Sequence, residues 1–240
     1  MLLRRQFLAS PLLLVPYPAW ARSLKAGPIE FEVIRRGRSS RRYLHIHGNE
    51  STAGEVLRKH METHLGVAFL IRNSERNIRF EGGELDPNRM FSEEGAQRNL
   101  KLLNGSWSPE KLNKALVRLR QHREKILRQI LPPAGGLLVA LHNNSRGYSV
   151  KSELADSDEV ALNDESNPHE FFLATQVQDF RILARSPYNA VLQNRRPQVD
   201  DGSLSRLASA RAVRYVNLEA GLGQFARQRE MLDWLERNLP

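Results

Sequence analysis

Two histidines and two glutamates stand where apolar stretches of this sequence give way to polar ones, and their types suit metal-assisted hydrolysis. His47 and Glu50 close the run Tyr43-Leu44-His45-Ile46-His47-Gly48-Asn49-Glu50, three residues apart. Zinc takes imidazole nitrogen and carboxylate oxygen, and two ligands from one tight turn would fix two corners of a tetrahedron. Gly48 permits the close turn between them. Alone, His-x-x-Glu recurs often by chance and equally describes a surface turn. His45 is a rival to His47, but only His47 has the spacing to Glu50. His142 ends the buried-strand pattern Leu137-Leu138-Val139-Ala140-Leu141 and is either a core or loop histidine or a third ligand. Two histidines and one carboxylate, with a fourth position open, is the arrangement of a catalytic zinc site.

Glu219 follows a third apolar stretch, Tyr215-Val216-Asn217-Leu218. A carboxylate beside zinc-bound water can take its proton and pass it to a leaving amine, although a glutamate here also suits a helix cap or an ion pair. Between the first two groups lies Glu84-Leu85-Asp86-Pro87-Asn88-Arg89-Met90-Phe91. The Asn88-Arg89 pair offers an amide donor and a guanidinium fork to a carboxylate, with Asp86 placed to orient the clamp or a ligand histidine. A Pro-containing surface turn is the plainer reading of the same residues.

These groups need a scaffold that presents strand ends together. Ile29–Ile34, Tyr43–Ile46, Val67–Ile71, Gly136–Leu141, Ala190–Leu192 and Val213–Leu218 read as strands. Thr52–His64, Pro109–Leu131, His169–Leu183, Ser203–Ala210 and Gln224–Leu239 read as helices. The long Pro109 helix has Ser108 as N-cap, Pro109 in its first turn and Pro132-Pro133 as its stop. Lys151–Asn167 reads as an acidic surface loop, and no internal repeat is present. Such alternation predicts a single-domain α/β fold, a central mostly parallel or mixed sheet with helices on both faces. Ligands gather beyond the carboxyl ends of strands in such sheets, which is where the reactive residues fall.

Taken in order, His47-Gly48-Asn49-Glu50, Asp86-Pro87-Asn88-Arg89-Met90-Phe91 and Leu141-His142-Asn143 resemble the zinc carboxypeptidase superfamily. The style is that of its succinylglutamate desuccinylase/aspartoacylase branch, with His-Gly-x-Glu, Asp-x-Asn-Arg-x-Phe and a later Leu-His-Asn. The gap of 92 residues from Glu50 to His142 is typical of that branch, and the likeness runs from about Tyr43 to Gly221. The resemblance implies one zinc ion on His47, Glu50 and His142, a substrate carboxylate on Asn88 and Arg89, and acid/base work by Glu219. It also implies an arginine that polarises the scissile carbonyl, for which Arg79 is the candidate. Tyr188 and Arg146 are further candidate substrate contacts. The expected activity is a metallocarboxypeptidase or deacylase acting on a small peptide, a cell-wall-type peptide or an N-acyl amino acid. A catalytically inactive carboxylate- or peptide-binding protein on the same fold is the alternative. The chain ends soon after Glu219, so the extra C-terminal domain of aspartoacylase-like enzymes is expected to be absent.

Composition agrees with a globular catalytic domain. The chain has 240 residues, 40% hydrophobic and 26% charged. It has no cysteine, which excludes thiol catalysis, disulfides and thiolate metal sites. Residues 1–21 read as an export signal: Arg4-Arg5, an apolar stretch from Phe7 to Val15, and Ala19-Trp20-Ala21 for cleavage. The Arg4-Arg5-Gln6-Phe7-Leu8 run also resembles a twin-arginine signal. The expected mature catalytic domain is therefore 22–240, periplasmic or extracellular, with no transmembrane helix. The formal net charge is +9, or +7 without the signal. Much of it lies in Arg118, Arg120, Arg123, Lys125 and Arg128 on the long helix, without interleaved aromatics, so no nucleic-acid partner is expected.

Overall fold

The computed structural model describes residues 22–144, 147–195 and 199–240, so the expected export signal and Arg146 lie outside the described residues. The described residues open with a hairpin of β1 (Arg22–Ala26) and β2 (Ile29–Arg36), turned at Gly27 with φ +60°. β3 (Arg42–His45), α1 (Ser51–Met61) and β4 (Gly66–Ile71) follow. A small separate hairpin, β5 (Ile78–Phe80) with β6 (Gly83–Leu85), leads into a 3-10 turn at Pro87–Arg89. Next come α2 (Glu93–Leu103) and α3 (Pro109–Ile130). The second half is β7 (Leu138–Asn144), α4 (Val150–Glu153), β8 (Glu159–Ala161), β9 (Phe171–Ala174) and α5 (Val177–Leu183). It closes with β10 (Asn189–Leu192), α6 (Leu204–Ala210), β11 (Tyr215–Gly221) and α7 (Phe225–Asn238).

Among the described residues, nine strands form one mixed sheet in the order β1-β2-β4-β3-β7-β11-β9-β10-β8. Its centre, β4-β3-β7-β11, is parallel. Antiparallel pairs join β2 to β4 and β9 to β11 on either side of that centre. The central strands are apolar throughout because both faces are covered: every residue of β4 and β7 is buried. Two separate cores result. One face packs Phe31, Leu44, Phe69, Leu138 and Tyr215 against α2, α3 and α6. The other packs Tyr43, Leu70, Val139 and Leu218 against α1, α5 and α7. Thus the α/β fold class read from the sequence is the fold observed.

Three segments differ from the expectation. His169–Leu183 is not one helix: Phe171–Ala174 is β9, pairing with β10 and β11, and only Val177–Leu183 is helical. Lys151–Asn167 is not wholly loop but holds most of α4, a 3-10 turn at Leu154–Asp156 and edge strand β8. α2, capped by the Ser92 hydroxyl accepting from the Gly95 amide, was not anticipated. The helix predicted from Pro109 is α3, with Ser108 accepting from the Lys111 amide. No helix among the described residues is long and apolar enough to cross a membrane.

Candidate metal centre

The site lies at the carboxyl ends of β3, β7 and β11, and strand parity decides which side chains enter it. Side chains alternate between faces along a strand. In β7, Leu138 and Ala140 pack into the α2–α3 core, so His142 projects to that face while Asn143 projects to the other. In β11, Tyr215 marks the same face, which places Asn217 and Glu219 beside it. The parallel register sets Glu219 directly across from His142. Asn143, on the opposite face, is used structurally. It accepts from the Ala53 amide at 2.7 Å and donates to Gln228 Oε1 at 2.9 Å, while Gln228 Nε2 donates to the His142 carbonyl at 2.8 Å.

His47 and Glu50 come from the turn between β3 and α1, closed by the Glu50 amide donating to the His47 carbonyl at 3.1 Å. The Glu50 carboxylate meets one histidine with each oxygen. His47 Nδ1 lies 2.7 Å from Oε1 and His142 Nδ1 lies 2.9 Å from Oε2. All three side chains are buried, and one ligand atom from each falls within 4.8 Å of the others. His47 Nε2 lies 2.9 Å from Asp86 Oδ1, so the ring is oriented from behind with Nδ1 facing Glu50. His45 Nε2 is instead 2.9 Å from the Glu50 backbone carbonyl and does not join the cluster.

The local electrostatics follow from burial and close charge. Burial alone would raise the Glu50 carboxyl, but the charge and hydrogen bonds of His142 and His47 hold it well below the usual carboxylate range. Asp86 is held low in the same way by His47, with help from Arg76. Burial opposes the charged form of His47, yet its hydrogen bonds to Asp86 and Glu50 leave its pKa raised. Glu219 behaves in the opposite sense. Burial pushes its carboxyl up to about 7; His142 opposes the rise, Glu50 adds to it, and Asn217 Nδ2 donates to Oε1 at 3.0 Å. Asn217 Oδ1 is buried with no partner among the described residues.

His47, Glu50, His142, Asn217 and Glu219 line a cavity of about 500 Å³. Asn88 and Arg89 line it too. Asn88 is held by its amide donating to Asp86 Oδ1 at 2.8 Å and its Oδ1 accepting from the Leu204 amide at 3.1 Å. Arg89 lies 3.1 Å from Asp201 Oδ2. Arg206, with its side chain only 7% exposed, enters from α6 and lies 3.2 Å from Asp156.

Two predicted residues stand elsewhere. Arg79 is on β5 with its side chain 86% exposed, facing Glu84 at 3.8 Å and outside the cavity. Tyr188 packs in the core of the opposite face, edge-on to Phe172 and beneath the Arg227 guanidinium. The arginine found at the centre is Arg76, absent from the sequence reading. Its Nη1 is 3.3 Å from Glu50 Oε1 and its Nη2 is 3.2 Å from Asp86 Oδ2, so it bridges the two carboxylates. It lies in the loop just past the carboxyl end of β4, on the side of the sheet where ligands gather in such folds. Gly48 explains how that loop comes so near. Its φ is not in the left-handed region; a Cβ there would run into the Asn73 carbonyl oxygen. The loop packs onto the His47 turn, with the Gly48 amide donating to the Glu75 carbonyl at 3.1 Å.

No protein-family model matches this chain, and no curated protein sequence does. Two solved structures are similar to it. The apo structure of the ectoine utilization protein EutE (DoeB) from Ruegeria pomeroyi is 15% identical, with a TM-score of 0.45, over 86% of this chain. The chain spans 59% of the length of that protein. A candidate metallopeptidase from Shewanella amazonensis SB2B is 14% identical, with a TM-score of 0.44, over 91% of this chain and 84% of that one.

Proposed function

We propose that this chain is a zinc-dependent hydrolase that cleaves an amide bond near a free carboxylate, as a carboxypeptidase or an N-acyl amino acid amidohydrolase. The observation that carries the reading is the convergence of His47, Glu50 and His142 at the cavity, with Glu219 in register beside His142. The donor set fits one zinc ion. Two imidazole nitrogens and a carboxylate oxygen are its preferred ligands in the absence of thiolates, and Asp86 supports His47 from behind. When bound, zinc would supply Lewis acidity, activating a water and polarising the scissile carbonyl.

The chain's own residues would do the rest. Glu219, with its carboxyl near 7, suits a group that takes a proton from the attacking water and gives it to the leaving amine. Asn217 holds that carboxylate by one end of its amide. Arg76 takes the role the resemblance gave to Arg79: a guanidinium lining the cavity, able to face the charge developing on the carbonyl oxygen. Asn88 Nδ2 and Arg89 would hold the substrate carboxylate and so set which bond reaches the reacting groups. The N-terminal signal pattern favours an envelope substrate, in the periplasm or outside the cell.

The test is hydrolysis of a panel of peptides and N-acyl amino acids by the parent, Glu219→Gln and His142→Ala proteins, with zinc measured in each. Loss of turnover in Glu219→Gln with zinc retained, and loss of both in His142→Ala, is expected. Equal turnover in the parent and Glu219→Gln would remove Glu219 from the reaction. A zinc-free parent that binds these compounds without cleaving them would leave a binding protein.

A further inference from the structure

A large cation-lined cavity lies at the other end of the sheet, where the strands point away from the candidate metal centre. β3 begins there at Arg42 and runs toward His47. The cavity is about 1110 Å³, and five arginines line it: Arg22, Arg35, Arg38, Arg42 and Arg128.

Their convergence follows from register. On the α3-covered face, Arg22 pairs across to Val33 and Val33 to Phe69, while Arg35 and Arg42 flank Val67 in the next row. Leu24, Phe69 and Leu44 mark this as the core face, so strand parity sends Arg22, Arg35 and Arg42 to it as well. α3 ends at Ile130, and its last turn contributes Arg128. The sheet face continues one row past the helix that covers it, and that row is edged with guanidinium groups.

These charges have no carboxylate to answer them. Among the described residues none of the five has an acidic partner within 4.0 Å, whereas arginines on the opposite face do. There, Arg58 pairs with Glu32 and Arg72 with Glu30. Residues 1–21, 145–146 and 196–198 contain no Asp or Glu, so those segments hold no side-chain carboxylate for the cluster. Arg42 is half-buried, and burial together with Arg35 lowers its pKa. Its Nη1 donates only to the backbone carbonyls of Ser39 and Arg41, each at 3.2 Å. The floor is apolar: Leu24 and Phe69 are buried, and Val33 and Leu131 half-buried. Clustered guanidinium groups favour a phosphate or carboxylate, and a bare inorganic anion would leave the floor unused.

We propose that this cavity binds an anionic amphiphile, its phosphate or carboxylate head held by the arginines and its aliphatic chain lying on Leu24, Val33, Phe69 and Leu131. The volume lies slightly above that of ordinary ligand pockets, typically about 300–1,000 Å³, which leaves room for a long chain. The site shares no residue with the metal centre.

Calorimetric titration of the full chain with alkyl phosphates below their micellar concentrations tests this. One site is expected, with affinity rising by up to about fourfold for each methylene added from butyl to dodecyl. Arg35→Gln/Arg128→Gln, two exposed positions, should weaken dodecyl phosphate by about tenfold or more. Added salt should weaken it in the parent protein, which reads the same charges without a substitution. His142→Ala should bind it as the parent does. The proposal is overturned if inorganic phosphate or dodecyl maltoside binds as tightly as dodecyl phosphate, or if the arginine variant and high salt leave affinity unchanged. Loss of binding in His142→Ala would also overturn it, by assigning the phosphate to the metal centre.

Discussion

Replacing Glu219 by Gln in metal-stripped protein should raise stability at alkaline pH, and by an amount the site itself fixes. Burial lifts the Glu219 carboxyl from 4.5 to about 7. Because its folded pKa exceeds its unfolded one, the folded state holds the proton longer. The associated stability is full below about pH 4.5 and falls as pH rises toward 7. Each pH unit of that interval is worth about 1.4 kcal/mol, so the charged carboxylate costs the fold about 3 kcal/mol above pH 7. The amide of Glu219→Gln carries no charge, and its oxygen still accepts from Asn217 Nδ2. The variant should match the parent near pH 4.5 and exceed it by about 3 kcal/mol at pH 9. Urea unfolding of chelator-dialysed protein at several pH values measures this, provided the denaturant slopes agree. The same substitution should reduce turnover of the zinc-loaded protein by about 10²–10⁴-fold. A difference that does not vary with pH, or a variant less stable than the parent at pH 9, would refute the reasoning.

Three further outcomes are expected. Asp86→Asn removes the carboxylate behind His47 Nε2 and should weaken zinc by about 10–100-fold in competition with a chelator; unchanged affinity would mean that His47 needs no such support. Arg76→Ala should lower kcat while Arg79→Ala leaves it within about twofold, since Arg79 faces solvent; the reverse order would return the role to Arg79. Gly48→Ala forces a methyl against the Asn73 carbonyl and should cost about 1–3 kcal/mol in unfolding experiments. It should also loosen Arg76, seen as a drop in kcat beyond the stability loss.

Strands buried on both sides were the most legible part of the fold, because an unbroken apolar run has few other uses. Val67–Ile71, Gly136–Leu141 and Val213–Leu218 fall on β4, β7 and β11, which run toward the candidate metal centre. α3 was readable from chemistry at its ends, a Ser-Pro start and a double-Pro stop. The failure at His169–Leu183 has a physical cause. Phe180 and Leu183 do sit on the buried face of α5, but Phe171–Ala174 is too short and uniform for its own period to separate it from that helix. α2 displays a Ser cap and acidic first turn, yet buries little besides Ala96 and Leu100, so its apolar stripe is thin. The cluster of His47, Glu50 and His142 was legible because each follows a strand. The place of Arg76 beside Glu50 was not legible because it depends on the path of a loop, and that path is set by a glycine contact far away in sequence.

The adjacency of β3, β7 and β11 also orders the assembly of the candidate metal site as the chain folds. His142 reaches Glu50 only after the ends of a 92-residue segment have met, and Glu219 joins only once β11 has docked on β7. Parallel pairings of this sequence separation form slowly, because the entropy of closing the loop is lost before the contacts reward it. A nascent chain with only its first half synthesised has two ligands and no third. On the proposed zinc-bound reading, loading would follow tertiary assembly of the apoprotein. Its refolding rate should be indifferent to free zinc, with the ion acting afterwards by slowing the escape from the native state.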